Sequence, residues 1–277
     1  MIDVTLNTGD ASYYLYYDNA STHAANYADS YVDFRYSKCG YAGSGAWAVS
    51  ANTTCVNQTI NVGGNLSFSD VNLLLNLINT TLNFTTTSNG ESVTVGAKQY
   101  LSLRDIDGKA ETTNDASNIT AGDFSKRLKF YVGSGGYFTM SNSHVSGVGY
   151  AANDYTVRGL VIESQWANVT NSTITQSEYG LYLAYANYSN VTLTNVSSVS
   201  QAALHVENST NVGASFNVLR GTQYGAYMRS VSDSNLTNNN MSYAVYGAYV
   251  TGNPVGGNLV AFNNLTGNSK HGVTLEA

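Results

Sequence analysis

The groups able to do acid–base, nucleophilic or metal chemistry are few and scattered in this chain. Of 277 residues, 18 are Asp or Glu, 12 are Lys or Arg, four are His and two are Cys. Glycoside hydrolysis needs two carboxylates flanking one bond, and a Ca²⁺ site needs several oxygens converging on one point. Glu163, Glu178, Glu207 and Asp233 fall at different places in the local pattern, so they line no common column. The densest acidic spot, Arg104-Asp105-Ile106-Asp107-Gly108, reads as a solvated turn ahead of a weak cation loop. His23, His144, His205 and His271 are far apart, and no Gly-x-Ser-x-Gly, His-Glu-x-x-His or phosphate-loop motif occurs. The sequence therefore assigns no catalytic residue, no metal ligand and no cofactor, and the chain is not expected to be an enzyme. Cys39 and Cys55 lack the His partners of a zinc pattern. A disulfide between them is the first reading, which implies an oxidising, extracytoplasmic setting; two buried thiols are the second.

Asparagine and tyrosine dominate the polar residues instead. Asn-x-Ser/Thr occurs sixteen times among 33 Asn. Three of these sites, Asn168, Asn190 and Asn235, are explained by a repeat that starts strands with Asn. The candidates for N-glycosylation are Asn19, Asn52, Asn57, Asn65, Asn79, Asn83, Asn118, Asn171, Asn187, Asn195, Asn208, Asn240 and Asn264. Of the 22 tyrosines, Tyr179, Tyr224 and Tyr246 precede a glycine, and Tyr182, Tyr227 and Tyr249 follow it at a fixed distance. A ladder of aromatics on neighbouring strands stabilises a sheet. An exposed stripe would serve as a protein interface or as a flat platform for carbohydrate.

The elements that position these residues repeat every 22 residues or so. Tyr179-Gly-Leu-Tyr-Leu, Ala202-Ala-Leu-His-Val, Tyr224-Gly-Ala-Tyr-Met, Tyr246-Gly-Ala-Tyr-Val and His271-Gly-Val-Thr-Leu start 23, 22, 22 and 25 residues apart. Arg158-Gly-Leu-Val-Ile and Gly135-Gly-Tyr-Phe-Thr-Met extend the series upstream. A fixed period of this length means one supersecondary unit stacked many times. Alternation along each strand puts Leu160, Leu181, Leu204, Ala226, Ala248 and Val273 inward, and Val161, Tyr182, His205, Tyr227, Tyr249 and Thr274 outward. A second strand signal begins at Asn168, Asn190, Asn211, Asn235 and Asn258. Two or three strands per turn with no helical period between them describe an all-β coil of parallel strands.

These Asn-Val/Leu-Thr starts and Gly-Φ-x-Φ strands resemble the right-handed parallel β-helix repeats of NosD-type and pectate-lyase-like proteins, in the style of archaeal surface proteins. The resemblance implies a right-handed parallel β-helix over 57–277. Gly64-Asn-Leu-Ser-Phe, Lys98-Gln-Tyr-Leu-Ser-Leu and Gly136-Tyr-Phe-Thr-Met are expected to be first strands of longer rungs. Residues 1–56, Tyr-rich and containing both cysteines, are expected to cap the coil or to mediate assembly.

A net charge of −6 disfavours a nucleic-acid partner, and no apolar run is long enough to span a membrane. Met1-Ile-Asp-Val-Thr lacks the pattern of a signal peptide. Val273 and Leu275 lie on a final strand with no polar cap after it, so either the sequence is a piece of a longer chain or stacking of copies is expected there. Together with Tyr179, Tyr182, Tyr224, Tyr227, Tyr246 and Tyr249 they are the candidate interface. The expected protein is an extracellular or cell-surface homopolymer forming a filament, sheath or surface layer, with glycans as further partners. An adhesin or carbohydrate-binding β-helix is the alternative, and a polysaccharide lyase or hydrolase the third reading.

Overall fold

The computed structural model describes residues 39–85, 90–105, 116–252 and 256–276. The segment up to residue 38, with Asn19 and His23, lies outside the described residues, as does Asp107. The rest is a parallel β-solenoid of about nine turns with roughly 23 residues per turn. Its single helical element is the short 3₁₀ turn Tyr155–Val157.

Each full turn visits three faces. The first face is a sheet of ten parallel strands, from Trp47–Val49 and Leu66–Phe68 through Leu160–Ile162, Leu181–Ala184, Ala202–Glu207, Tyr224–Arg229 and Tyr246–Thr251 to His271–Leu275. The second face includes Tyr100–Arg104, Tyr137–Ser141, Asn168–Thr170, Asn190–Thr192, Gly213–Ser215, Asn235–Thr237 and Leu259–Ala261. The third includes Asn118–Ala121, His144–Ser146, Thr173–Ser177, Asn195–Val199 and Val218–Gly221. The second and third faces are joined through the long strand Leu74–Phe84, whose first half pairs with Tyr100–Arg104 and whose second half pairs with Asn118–Ala121.

The inward column of the first face holds from Leu160 to Ala248: Leu160 pairs with Leu181, Leu181 with Leu204, Leu204 with Ala226, and Ala226 with Ala248, whereas Val273 keeps the register beneath Ala248 but is exposed. The five side chains from Leu160 to Ala248 are buried in one continuous apolar core. Burying each leucine contributes about 1.5–3 kcal/mol. Where the column narrows to Ala226 and Ala248, the buried Met228 and Met241 belong to the same core, their unbranched chains suited to filling the space left.

Two parts of the sequence pattern fall elsewhere than expected. Tyr100–Arg104 and Tyr137–Ser141 lie on the second face, because Thr139 pairs with Asn168. The first-face strands of those rungs are Ser92–Val95 and Lys129–Val132. Likewise Asn190 pairs with Gly213, not Asn211, and Asn235 with Leu259, not Asn258. Asn211 and Asn258 occupy the preceding corner, where Asn258 accepts from Ser234 N–H and donates to Val231 C=O. Side chains that serve a corner look the same, in a linear pattern, as side chains that start a strand.

Corners are built by residues with positive φ, stacked in columns. After the first face the column runs Asn72, Lys98, Gly135, Trp166, Tyr188, Asn211, Asp233 and Gly257. Between the second and third faces it includes Asn142, Asn171, Leu193, Phe216, Asn238 and Phe262. The residues that follow this second column form an internal ladder. Ser143, Ser172 and Thr194 supply hydroxyls, and then Asn217, Asn239 and Asn263 take over. Asn217 donates to Asn239, and Asn239 to Asn263, while each side chain also binds backbone of the rung before it. Buried corner N–H and C=O groups thereby find partners without water.

The coil begins inside the segment expected to cap it, since Trp47–Val49 already pairs with Leu66–Phe68. Cys39 and Cys55 form a disulfide with sequence separation 16. Closing a loop of this size contributes about 3 kcal/mol by the loop-entropy argument.

Candidate functional site

The outward column of the first face is not uniformly exposed. Tyr182 is only 3% exposed and His205 7%. Val161, Tyr182 and Ala184 form a second, smaller apolar cluster with Tyr131, Tyr155 and Tyr179, beneath the 3₁₀ turn. Tyr182 is therefore a packing residue here, at odds with its expected place in a surface stripe. His205 stacks on its ring at 4.1 Å between centroids. Tyr224, Tyr227, Tyr246 and Tyr249 remain half-buried, each stacked on or edge-on to its neighbours. Tyr179 is likewise half-buried. Val273 and Leu275 are exposed on His271–Leu275.

Glu207 is the hub of a polar cluster at this patch. Tyr182 Oη donates to its Oε2 at 2.5 Å, Arg229 pairs with its Oε1, and His205 Nε2 lies 3.4 Å from Oε2. That last distance makes the histidine an electrostatic neighbour rather than a well-aligned donor. The His205 contact, the Tyr182 hydroxyl and the Arg229 guanidinium together hold the Glu207 carboxyl down at about 2. Burial pushes His205 below its ordinary value, so the imidazole is neutral and Arg229 carries the ion pairing. Burial, and then the bond to Glu207, push Tyr182 upward, which keeps it a donor. Glu207, Tyr182 and Arg229 are matched with one another, whereas both ring nitrogens of His205 are buried without a hydrogen-bond partner.

Two rungs earlier, a second carboxylate sits in a different setting. Glu163 follows Leu160–Ile162 and accepts from Tyr131 Oη at 2.6 Å and from Tyr155 Oη. Burial and this bond raise Tyr131, and the bond first of all raises Tyr155, so both stay protonated at neutral pH. Glu163 has no cationic partner among the described residues. It lines a cleft of about 530 Å³ with Ser134, Gly135, Gly136, Tyr137, Gln165, Trp166, Tyr185 and Asn187. The cleft spans three successive rungs where the first face turns into the second. Trp166 is 64% exposed and stacks face to face on Tyr188, with centroids 4.7 Å apart. Tyr137 stacks on Tyr100 at 4.4 Å, and Tyr137, Tyr185 and Tyr188 are all exposed.

Trp166, Tyr185 and Tyr188 all have positive φ. A bulky side chain in this conformation costs about 1 kcal/mol. Neither the cleft nor these aromatics stood out in the sequence. The available signal was their place in the repeat, where later rungs carry Asn, Asp, Ser or Gly at the same corners.

The sequons divide by what their amides do. Asn79, Asn83, Asn118, Asn171 and Asn208 donate through Nδ2, the atom a glycan would occupy. Asn52, Asn57, Asn65, Asn187, Asn240 and Asn264 accept through Oδ1. Asn195 is exposed at the start of Asn195–Val199.

Residues 110–277 match the family described as periplasmic copper-binding protein (NosD). The chain belongs to the NosD family. No curated protein matches it. Similar solved structures include two mutant forms of the periplasmic alginate epimerase AlgG. A double mutant is 14% identical over 86% of this chain and 56% of that one, with a TM-score of 0.43. A single mutant is 8% identical over 86% of this chain and 79% of that one, with a TM-score of 0.39. This NosD-family chain thus spans little more than half the length of the first of these, and at such values the likeness says nothing of activity.

The residues described here do not fit a copper ion. No group of three His, Cys, Asp or Glu converges among them. Both cysteines are spent in the disulfide, and Met140, Met228 and Met241 are enclosed in the core. The disulfide and the family's periplasmic description agree on a non-cytoplasmic setting for this NosD-family member. No helix among the described residues is long and apolar enough to cross a membrane.

Proposed function

We propose that this chain is a non-catalytic structural solenoid of an extracytoplasmic surface that associates with copies of itself. The supporting observation is the edge between the second and third faces. Leu193 and Phe216 are more than half exposed there, and Phe262 is 84% exposed, all with positive φ. Other rungs place Asn142, Asn171 and Asn238 at the same corner. A large apolar side chain in a conformation that suits Asn, held out in water, is accounted for by a surface that covers it. The partner is a second copy, because with 11% charged residues two copies meet with little repulsion. A contact of this kind that does not close on itself builds a filament or sheet.

Scattered carboxylates support the non-catalytic reading, since Glu163 is the sole acid among the described residues that line its cleft. We assign glycans to the exposed sequons whose Nδ2 is not a donor, Asn52, Asn57, Asn65, Asn195 and Asn264. The mass of native material before and after deglycosylation tests that assignment.

Light scattering and negative-stain microscopy test self-association. The double variant Phe216→Asn, Phe262→Asn keeps the corner conformation and is expected to be a folded monomer where the parent forms larger species. A parent that stays monomeric at high micromolar concentration, or a variant that assembles as the parent does, overturns the reading.

A further inference from the structure

We propose that the cleft around Trp166 is a binding site for an uncharged saccharide. The inference rests on three features that coincide there. The first is strain kept at the rim. Trp166, Tyr185 and Tyr188 occupy positive-φ corners, whereas the next rungs use Asn208 and Asn211, then Ser230 and Asp233, then Gly252 and Gly257. Backbone strain that the repeat elsewhere relieves is retained where a side chain makes a contact.

The second feature is the shape and chemistry of the lining. The cleft is about 530 Å³, within the usual range for small-ligand sites. Exposed, pre-stacked aromatic rings offer flat apolar surfaces that need no reorganisation on binding. A pyranose ring presents a flat patch of C–H bonds on one side and hydroxyls at its edge, so it uses both an aromatic plane and polar neighbours. Gln165, Ser134 and Asn187 supply the polar groups. Asn187 Oδ1 is already taken by Thr210 N–H, which fixes the side chain and leaves Nδ2 as a donor.

The third feature is charge. Glu163 lies in the cleft, oriented by two tyrosine hydroxyls, with no cation beside it among the described residues. Each carboxylate oxygen can still accept a sugar hydroxyl. An anionic sugar such as a uronate would meet an uncompensated negative charge, so the site selects against it. No second carboxylate lines the cleft, so binding rather than cleavage follows. The site lies at a different corner from Leu193, Phe216 and Phe262, and it stands or falls independently of self-association.

Titration calorimetry on the full chain tests the site, with cellohexaose, chitohexaose and mannohexaose as neutral probes and hexagalacturonate as the anionic one. At least one neutral probe is expected to bind, and hexagalacturonate to bind at least about tenfold more weakly, a difference of about 1.4 kcal/mol. Trp166→Asn, which suits the corner, is expected to weaken neutral binding by about tenfold or more while leaving the circular dichroism unchanged. Glu163→Gln is expected to narrow the gap between neutral and anionic probes, and Tyr227→Ala to change nothing. The proposal is overturned if no neutral probe binds, if hexagalacturonate binds as tightly as the best neutral probe, or if Trp166→Asn binds as the parent does.

Discussion

Rungs 160–199 and rungs 202–275 share one backbone and differ in what they place on it. Both turn off the first face through positive-φ residues, yet the earlier set uses Trp166, Tyr185 and Tyr188 and the later set Asn208, Asn211, Asp233, Gly252 and Gly257. At the corner between the second and third faces the ladder changes as well, from the hydroxyls of Ser172 and Thr194 to the carboxamides of Asn217, Asn239 and Asn263. The fold requires a left-handed residue and a hydrogen-bonding side chain at these places, and it leaves their identity open. A departure from the easiest choice therefore reports a demand other than folding.

The sharpest break between the two regions is expected in the core. Ala226→Asp or Ala248→Asp buries a carboxylate with no partner in the narrowest part, a cost of several kcal/mol. We expect no folded protein, seen as loss of protease resistance. A folded Ala226→Asp variant would mean that this part of the column is wet.

The ladder comes next. Asn239→Ala strands the Asn217 N–H and the Ala214 C=O of the preceding rung and is expected to lower stability by about 1–3 kcal/mol in chemical denaturation. Ser172→Ala in the hydroxyl section removes fewer bonds, with an expected cost of about 1 kcal/mol. Equal effects would erase the distinction between the two ladders.

Acid sensitivity concentrates at the junction, on Glu207. Its carboxyl is held at about 2, so its contribution is present above the unfolded value and is lost as pH falls from about 4.5 towards 2. Because Arg229 is half exposed, that contribution is about 1–2 kcal/mol. His205 adds to the same trend, because an imidazole kept neutral by burial loses ground once the unfolded chain binds protons, below about 6.5. Glu207→Gln should flatten the lower part of the profile in melting experiments from pH 7 to pH 2.

The smallest expected effect is the most specific. Trp166→Asn should raise stability by up to about 1 kcal/mol, and the reciprocal Asn211→Trp should lower it by a similar amount. If both changes are neutral, strain is not what separates the two sets of corners.

Much of this architecture is legible from spacing alone. The column from Leu160 to Ala248 and the outward neighbours Tyr182, His205 and Tyr227 pair in the register that the repeat implies. The failures have a common cause. Asn211 and Asn258 read as strand starts because Asn suits both roles, and Tyr137–Ser141 read as a first strand because Gly136 precedes it. The burial of Tyr182 depends on the loop carrying Tyr155, which interrupts the repeat and leaves no periodic trace. Glu163 looked like one more scattered acid, since Tyr131 and Tyr155, its partners, lie 32 and 8 residues away along the chain.

The spacing of 22 or 23 residues between paired rungs from Leu181 to Ala248 has a consequence for how such a chain can change. Leu204 meets Leu181 on one side and Ala226 on the other, and each rung touches little beyond those two neighbours. Deleting 202–223 would bring Tyr224–Arg229 under Leu181–Ala184 with every apolar position still facing inward. Size in this molecule is a copy number, and a genome can edit it by whole units without redesigning the interior.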